Sequence, residues 1–273
     1  MKKFEGILIC TDLDGTLLRK DKSISEENLR AVEYFMSEGG LFTFVTGRMP
    51  FSAKRVYSVL HPNAPIGCIN GGALFDTEKE KYIWTNELSH DAIELVRYID
   101  ENVDGIGIQT NSFEHVYFAR ENLAMKQFRE ATGDPNLVKN YDDFDEPLAK
   151  IIFGDTREDV LLHVKDLLLS HPEAYKYDFI RSEKRLFEIL PKGSNKGVSI
   201  TKLCELYSID HSRTIAVGDY DNDIEMIKAA HIGIAVANAT EGVKAACDLV
   251  TVSNEEDAIA KIIYDIESGT IKI

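Results

Sequence analysis

Two clusters of carboxylates stand directly after apolar segments of this 273-residue chain. They are residues 12–16 (DLDGT) and residues 218–223 (GDYDND). In an open α/β sheet ligands bind at the carboxyl ends of the strands, so two carboxylates two residues apart at such a point are candidate site residues. If both clusters met in one crevice they would repel each other, and a hard cation with oxygen ligands, Mg²⁺ above all, is the expected remedy. An ordinary acidic turn is the alternative for the first cluster. Helix capping by Asp221 and Asp223 is the alternative for the second, although capping does not explain Asp219.

Two further points of the chain carry groups that suit a phosphate. Thr46-Gly47-Arg48 ends another apolar segment and offers a hydroxyl, a glycine N–H and a guanidinium. Lys196 stands at a predicted helix start, where its charge opposes the helix dipole. A site full of carboxylates and phosphate would offset that cost. A routine turn and a solvated lysine are the alternatives, and spacing alone favours the solvated lysine.

The segments around these residues alternate between strand and helix patterns. Near-continuous apolar runs over residues 4–11, 41–46 and 66–69 predict strands buried on both faces, and helices are predicted from Ser25 and over residues 51–60. This βαβαβ order predicts an open parallel sheet with helices on both faces. Ligands bind at the carboxyl ends of such strands, which is where the acidic clusters and the Thr46 segment stand.

The middle of the chain has a different pattern. Paired strands with interposed helices predict an α+β unit with an antiparallel sheet. The predicted fold class is therefore α/β, with a Rossmann-like parallel-sheet core formed by residues 1–84 and 186–273 and an inserted α+β domain at residues 85–185. The alternating pattern returns from Asn195, and one helix is predicted over residues 221–230.

Composition excludes several classes of partner. Lys and Arg total 31 against 46 Asp and Glu, a formal net charge of −15, which argues against binding to duplex nucleic acid or to anionic membranes. No apolar run approaches ~18 residues, so no membrane span is predicted, and no signal peptide is recognised. The expected partner is a small phosphorylated molecule, and the expected state is a monomer or small homo-oligomer.

The four cysteines, Cys10, Cys68, Cys204 and Cys247, are far apart and form no CxxC pair. Each stands in an apolar context. This pattern predicts buried free thiols in a reducing compartment, hence the cytoplasm, with a zinc site as the alternative.

Taken in order, these groups resemble the four motifs of the haloacid dehalogenase superfamily of phosphotransferases. Residues 12–16 resemble the first motif, Thr46 the second, Lys196 the third and residues 218–223 the fourth. The insert resembles the type IIB cap, also called C2B, of the Cof-like subfamily. Further Cof-like features are Asn70-Gly71-Gly72, Ile189-Leu190-Pro191 to Lys196-Gly197, Ala237-Asn238-Ala239 with Val243-Lys244, and Glu256-Asp257. Val236-Ala237 and Tyr220-Asp221 depart from the usual pattern, but neither pair is a catalytic position.

The resemblance implies a Mg²⁺-dependent phosphatase of small phosphate monoesters, sugar phosphates above all, that works through an aspartyl-phosphate. The implied catalytic residues are Asp12 as nucleophile, Asp14 as acid and base, Thr46 and Lys196. The implied Mg²⁺ ligands are Asp12, the backbone carbonyl of Asp14, Asp219 and Asp223. The implied substrate-binding residues are Gly47, Arg48, Asn70, Gly71 and Asn222.

Two finer expectations follow from the same resemblance. Asp14 must be protonated at least transiently, which neighbouring carboxylates would favour. The insert is expected to select the leaving group, with Arg181, Arg185 and His115 as candidate contacts.

Three other functions stay open at this point. Relatives with a similar cap are phosphomutases, which return the phosphate to a sugar; release of free phosphate without a bisphosphate activator would count against that function. A signalling phosphoacceptor also places an aspartate at a strand end beside an acidic pair, but it needs neither Asp14 nor an insert. A binding protein that has lost catalysis would not require all four groups.

Overall fold

The computed structural model of the protein describes residues 2–273. In chain order the strands are β1 (Leu8–Thr11), β2 (Leu41–Phe44), β3 (Ile66–Cys68), β4 (Ala73–Asp76), β5 (Lys81–Thr85), β6 (Gly107–Ser112), β7 (Val116–Arg120), β8 (Leu148–Gly154), β9 (Tyr177–Glu183), β10 (Leu186–Pro191), β11 (Thr214–Gly218), β12 (Ile232–Ala235) and β13 (Leu249–Val250). The α-helices are α1 (Glu26–Ser37), α2 (Pro50–Leu60), α3 (Ala92–Asn102), α4 (Leu123–Thr132), α5 (Glu158–Ser170), α6 (Lys196–Tyr207), α7 (Ile224–Ala229), α8 (Glu241–Ala246) and α9 (Ala258–Glu267).

The chain divides into two compact units. One contains the chain up to Thr85 together with Asn195–Ile273, and the other is Asn86–Ser194. The predicted core with an inserted domain is therefore present. The predicted end of the insert at residue 185 is wrong, because β10 pairs antiparallel with both β8 and β9 and so belongs to the insert. A single strand pattern does not indicate which sheet the strand joins.

The first unit is built on a five-stranded parallel sheet in the order β13-β12-β11-β1-β2. Strand β1 lies at its centre between β11 and β2, and its four residues are buried, as the apolar run predicts. Helix α1 begins where Ser25 accepts a hydrogen bond from the backbone N–H of Asn28 at 3.0 Å, with Glu26 and Glu27 in the first turn.

The predicted third parallel strand is only partly correct. Strand β3 meets the residue that follows β2 through a single parallel bridge, Val45 with Gly67, and its main pairing is antiparallel with β4. Together β3, β4 and β5 form a separate three-stranded sheet that the sequence analysis did not predict. The predicted helix over 221–230 is a 3₁₀ turn, Asp221–Asp223, followed by the short α7, and α8 was not predicted.

The second unit is an α+β domain, as predicted. Its antiparallel sheet has the order β7-β6-β8-β10-β9, and one face packs on helices α3 and α5 through a hydrophobic cluster. The three candidate contacts proposed for the insert are held by local partners: Arg181 donates to Glu158, Arg185 to Gln127, and His115 is bonded to Glu146.

Two whole-chain findings complete the description. Among residues 2–273, no helix combines the length and the apolar character needed to cross a bilayer. None of the four cysteines, all within residues 2–273, forms a disulfide, and Cys10 and Cys68 are buried.

Candidate active site

Three carboxylates converge at the carboxyl edge of the parallel sheet. Asp12 follows β1, Asp219 follows β11, and Asp223 lies in the 3₁₀ turn after it. The adjacent strands fix this arrangement, since the backbone N–H of Asp12 donates to the carbonyl of Val217 at 2.8 Å. One oxygen from each of the three carboxylates lies within 4.8 Å of the others. The two acidic clusters of the sequence therefore form one site.

Lys196 lies between two of these carboxylates. Its ammonium donates to Asp12 Oδ1 and to Asp223 Oδ1, both at 2.6 Å. Lys196 is 2% exposed and Asp223 is fully buried, so the solvated lysine is excluded. Helix α6 places this side chain, with Asn195 capping its start through a hydrogen bond from Gly197 N–H.

A close backbone approach fixes where α6 begins. Gly71 has φ +84°, and a Cβ at this position would lie 1.9 Å from the carbonyl oxygen of Asn195. Only glycine fits there, so Gly71 helps to place Lys196, and its role in substrate binding stays a prediction.

The electrostatics of the cluster favour a cation. Burial and the charge of Asp223 raise the pKa of Asp219 to about 6. Burial raises the pKa of Asp12 well above its usual range, since the charge of Lys196 offsets only part of that effect. Burial opposes the charged form of Lys196, but the charges of Asp12 and Asp223 outweigh it and raise the pKa of the ammonium. Three carboxylates with one ammonium carry a formal charge of −2 when all are ionised.

The donor set fits a small hard cation. Only carboxylate oxygens converge there, which is the ligand chemistry of Mg²⁺ rather than of zinc or copper. The oxygens of Asp223 already accept hydrogen bonds from Lys196 and from the backbone N–H groups of Asp219 and Tyr220. Asp12 and Asp219 thus have more oxygen lone pairs left for a cation, and Asp223 orients Lys196 and the loop.

The turn after Asp12 is shaped around Asp219. Gly15 has φ +92°, and a Cβ there would lie 2.4 Å from Asp219 Oδ2. Thr16 donates to the other oxygen, Asp219 Oδ1, at 2.8 Å. The glycine and the threonine of the DGT sequence therefore hold the second acidic cluster against the first.

Asp14 lies in a strongly basic environment. Arg48 Nε donates to Asp14 Oδ2 at 2.9 Å, Arg48 Nη2 donates to Oδ1 at 2.7 Å, and Lys22 Nζ donates to Oδ1 at 2.8 Å. Burial raises the pKa of Asp14, but the charge and hydrogen bonds of Arg48, assisted by Lys22, outweigh burial and lower it. The expectation that neighbouring carboxylates favour its acid form is wrong for this conformation.

The remaining predicted residues form a hydrogen-bonded chain beside β2. Thr46 Oγ1 accepts from the backbone N–H of Arg48 at 3.2 Å, and the Thr46 carbonyl accepts from Asn70 N–H at 3.0 Å. Asn222 Nδ2 donates to Asn70 Oδ1 at 3.2 Å. A Cβ on Gly47 would lie 2.9 Å from that same oxygen. Asn70 therefore ties the Thr46 loop to the loop that carries Asp219 and Asp223.

Some residues of this region had no assigned role in the sequence analysis. Lys22 lies in an exposed turn, and no spacing signal connects it to Asp14. Asn238 Nδ2 donates to the carbonyl of Gly15 at 2.8 Å, and its side-chain oxygen accepts from Asn254 N–H at 3.0 Å. The Ala237-Asn238-Ala239 sequence was the signal for Asn238, whose contacts brace the loop that follows Asp12.

The family comparison covers most of the chain. Residues 9–263 match the model of the haloacid dehalogenase-like hydrolases. A Bacillus subtilis protein named 5-amino-6-(5-phospho-D-ribitylamino)uracil phosphatase YwtE is 32% identical over 96% of this chain and 98% of its own length. The Escherichia coli pyridoxal phosphate phosphatase YbhA is 27% identical over 94% of this chain and 97% of its own length.

A solved structure supports the same grouping. A haloacid dehalogenase-like hydrolase from Bacteroides thetaiotaomicron superposes with a TM-score of 0.84 at 26% identity. The match covers 95% of this chain and 99% of that one.

Proposed function

The chain belongs to the haloacid dehalogenase-like hydrolases of the Cof type and is a phosphoric monoester hydrolase, and from that premise we propose a Mg²⁺-dependent phosphatase that forms an aspartyl-phosphate on Asp12. The observation that carries the proposal is the burial of Asp12 against Lys196, within 4.8 Å of Asp219 and Asp223. The ammonium of Lys196 offsets the repulsion between the Asp12 carboxylate and a phosphate dianion. Asp219 and Asp223 add the oxygen ligands for a cation that does the same.

The first half-reaction is attack by Asp12 on phosphorus. Lys196 occupies Asp12 Oδ1, so Oδ2 is the attacking oxygen. The new bond joins Oδ2 to phosphorus, the bond from phosphorus to the ester oxygen breaks, and that oxygen receives a proton from Asp14. Lys196 offsets the repulsion between carboxylate and phosphate, and Thr46 with the Gly47 N–H binds the transferring oxygens.

The second half-reaction removes the phosphate. Asp14 accepts a proton from water, the water oxygen attacks phosphorus, and the bond to Asp12 Oδ2 breaks to release inorganic phosphate. The pair with Arg48 favours the charged form of Asp14, which is the form needed for this step. For the first half-reaction, Asp14 must loosen from Arg48 and Lys22 to carry its proton.

The residues that would hold Mg²⁺ are Asp12, Asp219, the backbone carbonyl of Asp14, and Asp223 directly or through water. When bound, the ion supplies charge neutralisation at the transferring phosphoryl group. The formal charge of −2 on the ionised cluster matches a divalent cation.

The proposed substrates are monophosphates of small metabolites, sugar phosphates first. The support is the name of the Bacillus subtilis relative, which describes a phosphorylated ribityl chain. The insert is proposed to select among such esters, as the resemblance implies.

The test is phosphate release from hexose, pentose and pyridoxal phosphates, with Mg²⁺ and with EDTA, by wild type and Asp12→Asn. The proposal expects release that needs Mg²⁺ and is lost in the folded variant. Full activity in EDTA would contradict the cation site. Phosphate that returned to a second position of the sugar, with none released, would indicate a phosphomutase instead.

A further inference from the structure

Three consecutive residues after β3 adopt left-handed backbone conformations. Ile69, Asn70 and Gly71 have φ values of +56°, +51° and +84°, and we call them the left-handed turn. Glycine adopts this conformation freely and asparagine tolerates it, but a β-branched residue there is an outlier. Ile69 is also fully buried. Such strain persists only where surrounding contacts hold it, and strained residues cluster at functional sites.

The left-handed turn is bonded through its backbone to the loop after β2. Ile69 N–H donates to the carbonyl of Arg48 at 3.1 Å, and Asn70 N–H donates to the carbonyl of Thr46 at 3.0 Å. Gly47 lies between those two acceptors, and a Cβ on it would lie 2.9 Å from Asn70 Oδ1. The turn therefore contacts every residue of the loop segment whose hydroxyl and N–H are proposed to bind the transferring oxygens.

The same turn meets two further parts of the site. Asn222, in the 3₁₀ turn after β11, donates through Nδ2 to Asn70 Oδ1 at 3.2 Å. Gly71 approaches Asn195 so closely that a Cβ would lie 1.9 Å from the Asn195 carbonyl oxygen, directly before Lys196. Three residues thus hold the loops after β2 and β11 and the start of α6 together.

The backbone conformation explains how so short a segment makes these contacts. Successive N–H groups of a strand point to opposite sides, whereas the N–H groups of Ile69 and Asn70 both donate to the same loop. This leaves the Asn70 side chain to reach Asn222 and the backbone of Gly71 to reach α6. The outlier at Ile69 is therefore explained by contacts of the site.

We propose that Asn70 is a positioning residue for phosphoryl transfer and acts through Asn222 rather than on the substrate. Asn70 is fully buried and its side-chain oxygen accepts from Asn222, whereas Asn222 is only half-buried and can meet a phosphate oxygen. Asn70 fixes the orientation of that amide relative to Gly47. The inference rests on the proposed phosphatase function and gives Asn70 a role other than the substrate contact expected from the family resemblance.

The test measures kcat, KM and the unfolding temperature of Asn70→Gly, with para-nitrophenyl phosphate as substrate and Mg²⁺ in excess. Glycine keeps the left-handed backbone, so this change removes the amide and little else. The kcat is expected to fall roughly three- to tenfold, the effect of one neutral hydrogen bond. Asn70→Asp keeps an oxygen that accepts from Asn222 and is expected to restore most of the kcat.

A double variant shows whether Asn70 acts through Asn222. Asn222→Ala is expected to lower kcat by at least as much as Asn70→Gly, and the combined variant is expected to be no slower than Asn222→Ala alone. Losses that multiply in the double variant would overturn the inference, because Asn70 would then act on its own. Wild-type kcat in Asn222→Ala would also overturn it, even if Asn70→Gly did not fold.

His61→Gly is the matched control for changing a left-handed residue to glycine. His61 is exposed, has φ +48° and ends helix α2, outside the loops of the site. This variant is expected to leave kcat and KM unchanged. A lower unfolding temperature of Asn70→Gly with wild-type kcat would show that the turn supports only the fold, and would overturn the inference.

Failure of the proposed function would give a different result. Wild type that releases no phosphate from para-nitrophenyl phosphate or from the hexose, pentose and pyridoxal phosphates would overturn the phosphatase function, and the inference with it. Active wild type with undiminished kcat in Asn70→Gly would overturn the inference alone.

Discussion

At the residue scale, Lys196 joins the two acidic clusters of the site. It is bonded to Asp12 and Asp223 at once, and all three side chains are at least nine-tenths buried. Removing one partner of a buried ion pair leaves an uncompensated charge, which costs far more than the pair contributes. Lys196 is therefore expected to matter for the stability of the fold as well as for the proposed reaction.

Lys196→Met is expected to destabilise the protein by about 3–5 kcal/mol and to lower kcat by roughly 10²- to 10³-fold. Urea unfolding and phosphate release check the two effects. Lys228→Met is the control, because Lys228 is 56% exposed and pairs with Glu225 at the surface. A Lys196→Met protein as stable and as active as wild type would contradict the assigned geometry.

Glu146 of the insert predicts a pH dependence of stability. Burial opposes its ionisation, but hydrogen bonds from Ser112, Tyr117 and His115 outweigh burial and lower the pKa of Glu146 to about 2, against an ordinary value of 4.5. A lowered folded-state pKa stabilises the fold above the unfolded value, and that stability is lost as the pH falls from about 4.5 towards 2.

The Glu146→Gln substitution is therefore expected to lower the free energy of unfolding more at pH 7 than at pH 4. The loss at pH 7 is expected at about 1–2 kcal/mol, below the usual range for a bond to a charged group because the side chain is a quarter exposed. Unfolding free energies at both pH values test this, with the exposed Glu101→Gln as control. An equal loss at pH 4 and pH 7 would show that ionisation of Glu146 contributes nothing.

Residue types near a predicted strand end were readable from the sequence, but their charge states were not. The positions of Asp12 and Asp219 after apolar runs were sufficient to predict one acidic site. The pairing of Asp14 with Arg48, 34 residues away, depends on where two loops turn, and no local pattern encodes that distance.

At the element scale, the turn from β1 into the loop after it determines the shape of the carboxylate cluster. Gly15 provides a backbone conformation that other residues rarely adopt and leaves room for Asp219. Thr16 then fixes the orientation of Asp219 by donating to it.

Gly15→Ala is expected to raise the Mg²⁺ concentration needed for half-maximal activity, because its Cβ displaces the Asp219 carboxylate. Gly133→Ala is the matched control, since Gly133 has φ +73° and no atom within 4 Å of its Cβ position. Both changes carry a backbone cost of roughly 1–2 kcal/mol. Titration of activity with Mg²⁺ distinguishes the two variants. An unchanged Mg²⁺ concentration for half-maximal activity in Gly15→Ala would exclude Asp219 as a ligand.

Elements with local sequence signals were predicted closely, whereas the sheets that some strands join were not. Helix α1 was predicted closely because Ser25 caps it and acidic residues fill its first turn, all of which are local signals. Strands β3 and β10 were correctly predicted as strands, but the sheet that each joins depends on distant segments.

At the scale of the whole molecule, the proposed cation binding is expected to be coupled to folding. The acidic cluster joins loops that follow β1 and β11, so an ion held there binds the folded chain and not the unfolded one. Mg²⁺ at 100 times its dissociation constant is expected to stabilise the protein by roughly 2.7 kcal/mol.

Asp219→Asn is expected to lose most of that Mg²⁺-dependent rise in unfolding temperature while remaining folded without the ion. The unfolding temperatures of wild type and Asp219→Asn are measured in MgCl₂ and in EDTA. Asp221→Asn serves as the control, because Asp221 lies on the same loop but is bonded to Thr240. The same rise in Asp219→Asn as in wild type would place the ion elsewhere.

The order of the four motifs was sufficient to predict an α/β core with an insert. The same sequence did not predict the buried ion pair of Lys150 and Glu188 in the insert, because residues 38 positions apart meet only once β8 and β10 pair. Pairing between strands of an inserted sheet is set by the whole domain rather than by either strand.

The central claim is a covalent phosphate on Asp12, and trapping it is the most direct test. Asp14→Asn should attack para-nitrophenyl phosphate, whose leaving group needs little protonation, but lack the base that activates water. Acid quenching followed by peptide mass spectrometry is expected to find phosphate on Asp12 in this variant and none in Asp12→Asn. Continued turnover by Asp14→Asn with no phosphate on Asp12, or phosphate on another residue, would contradict the account.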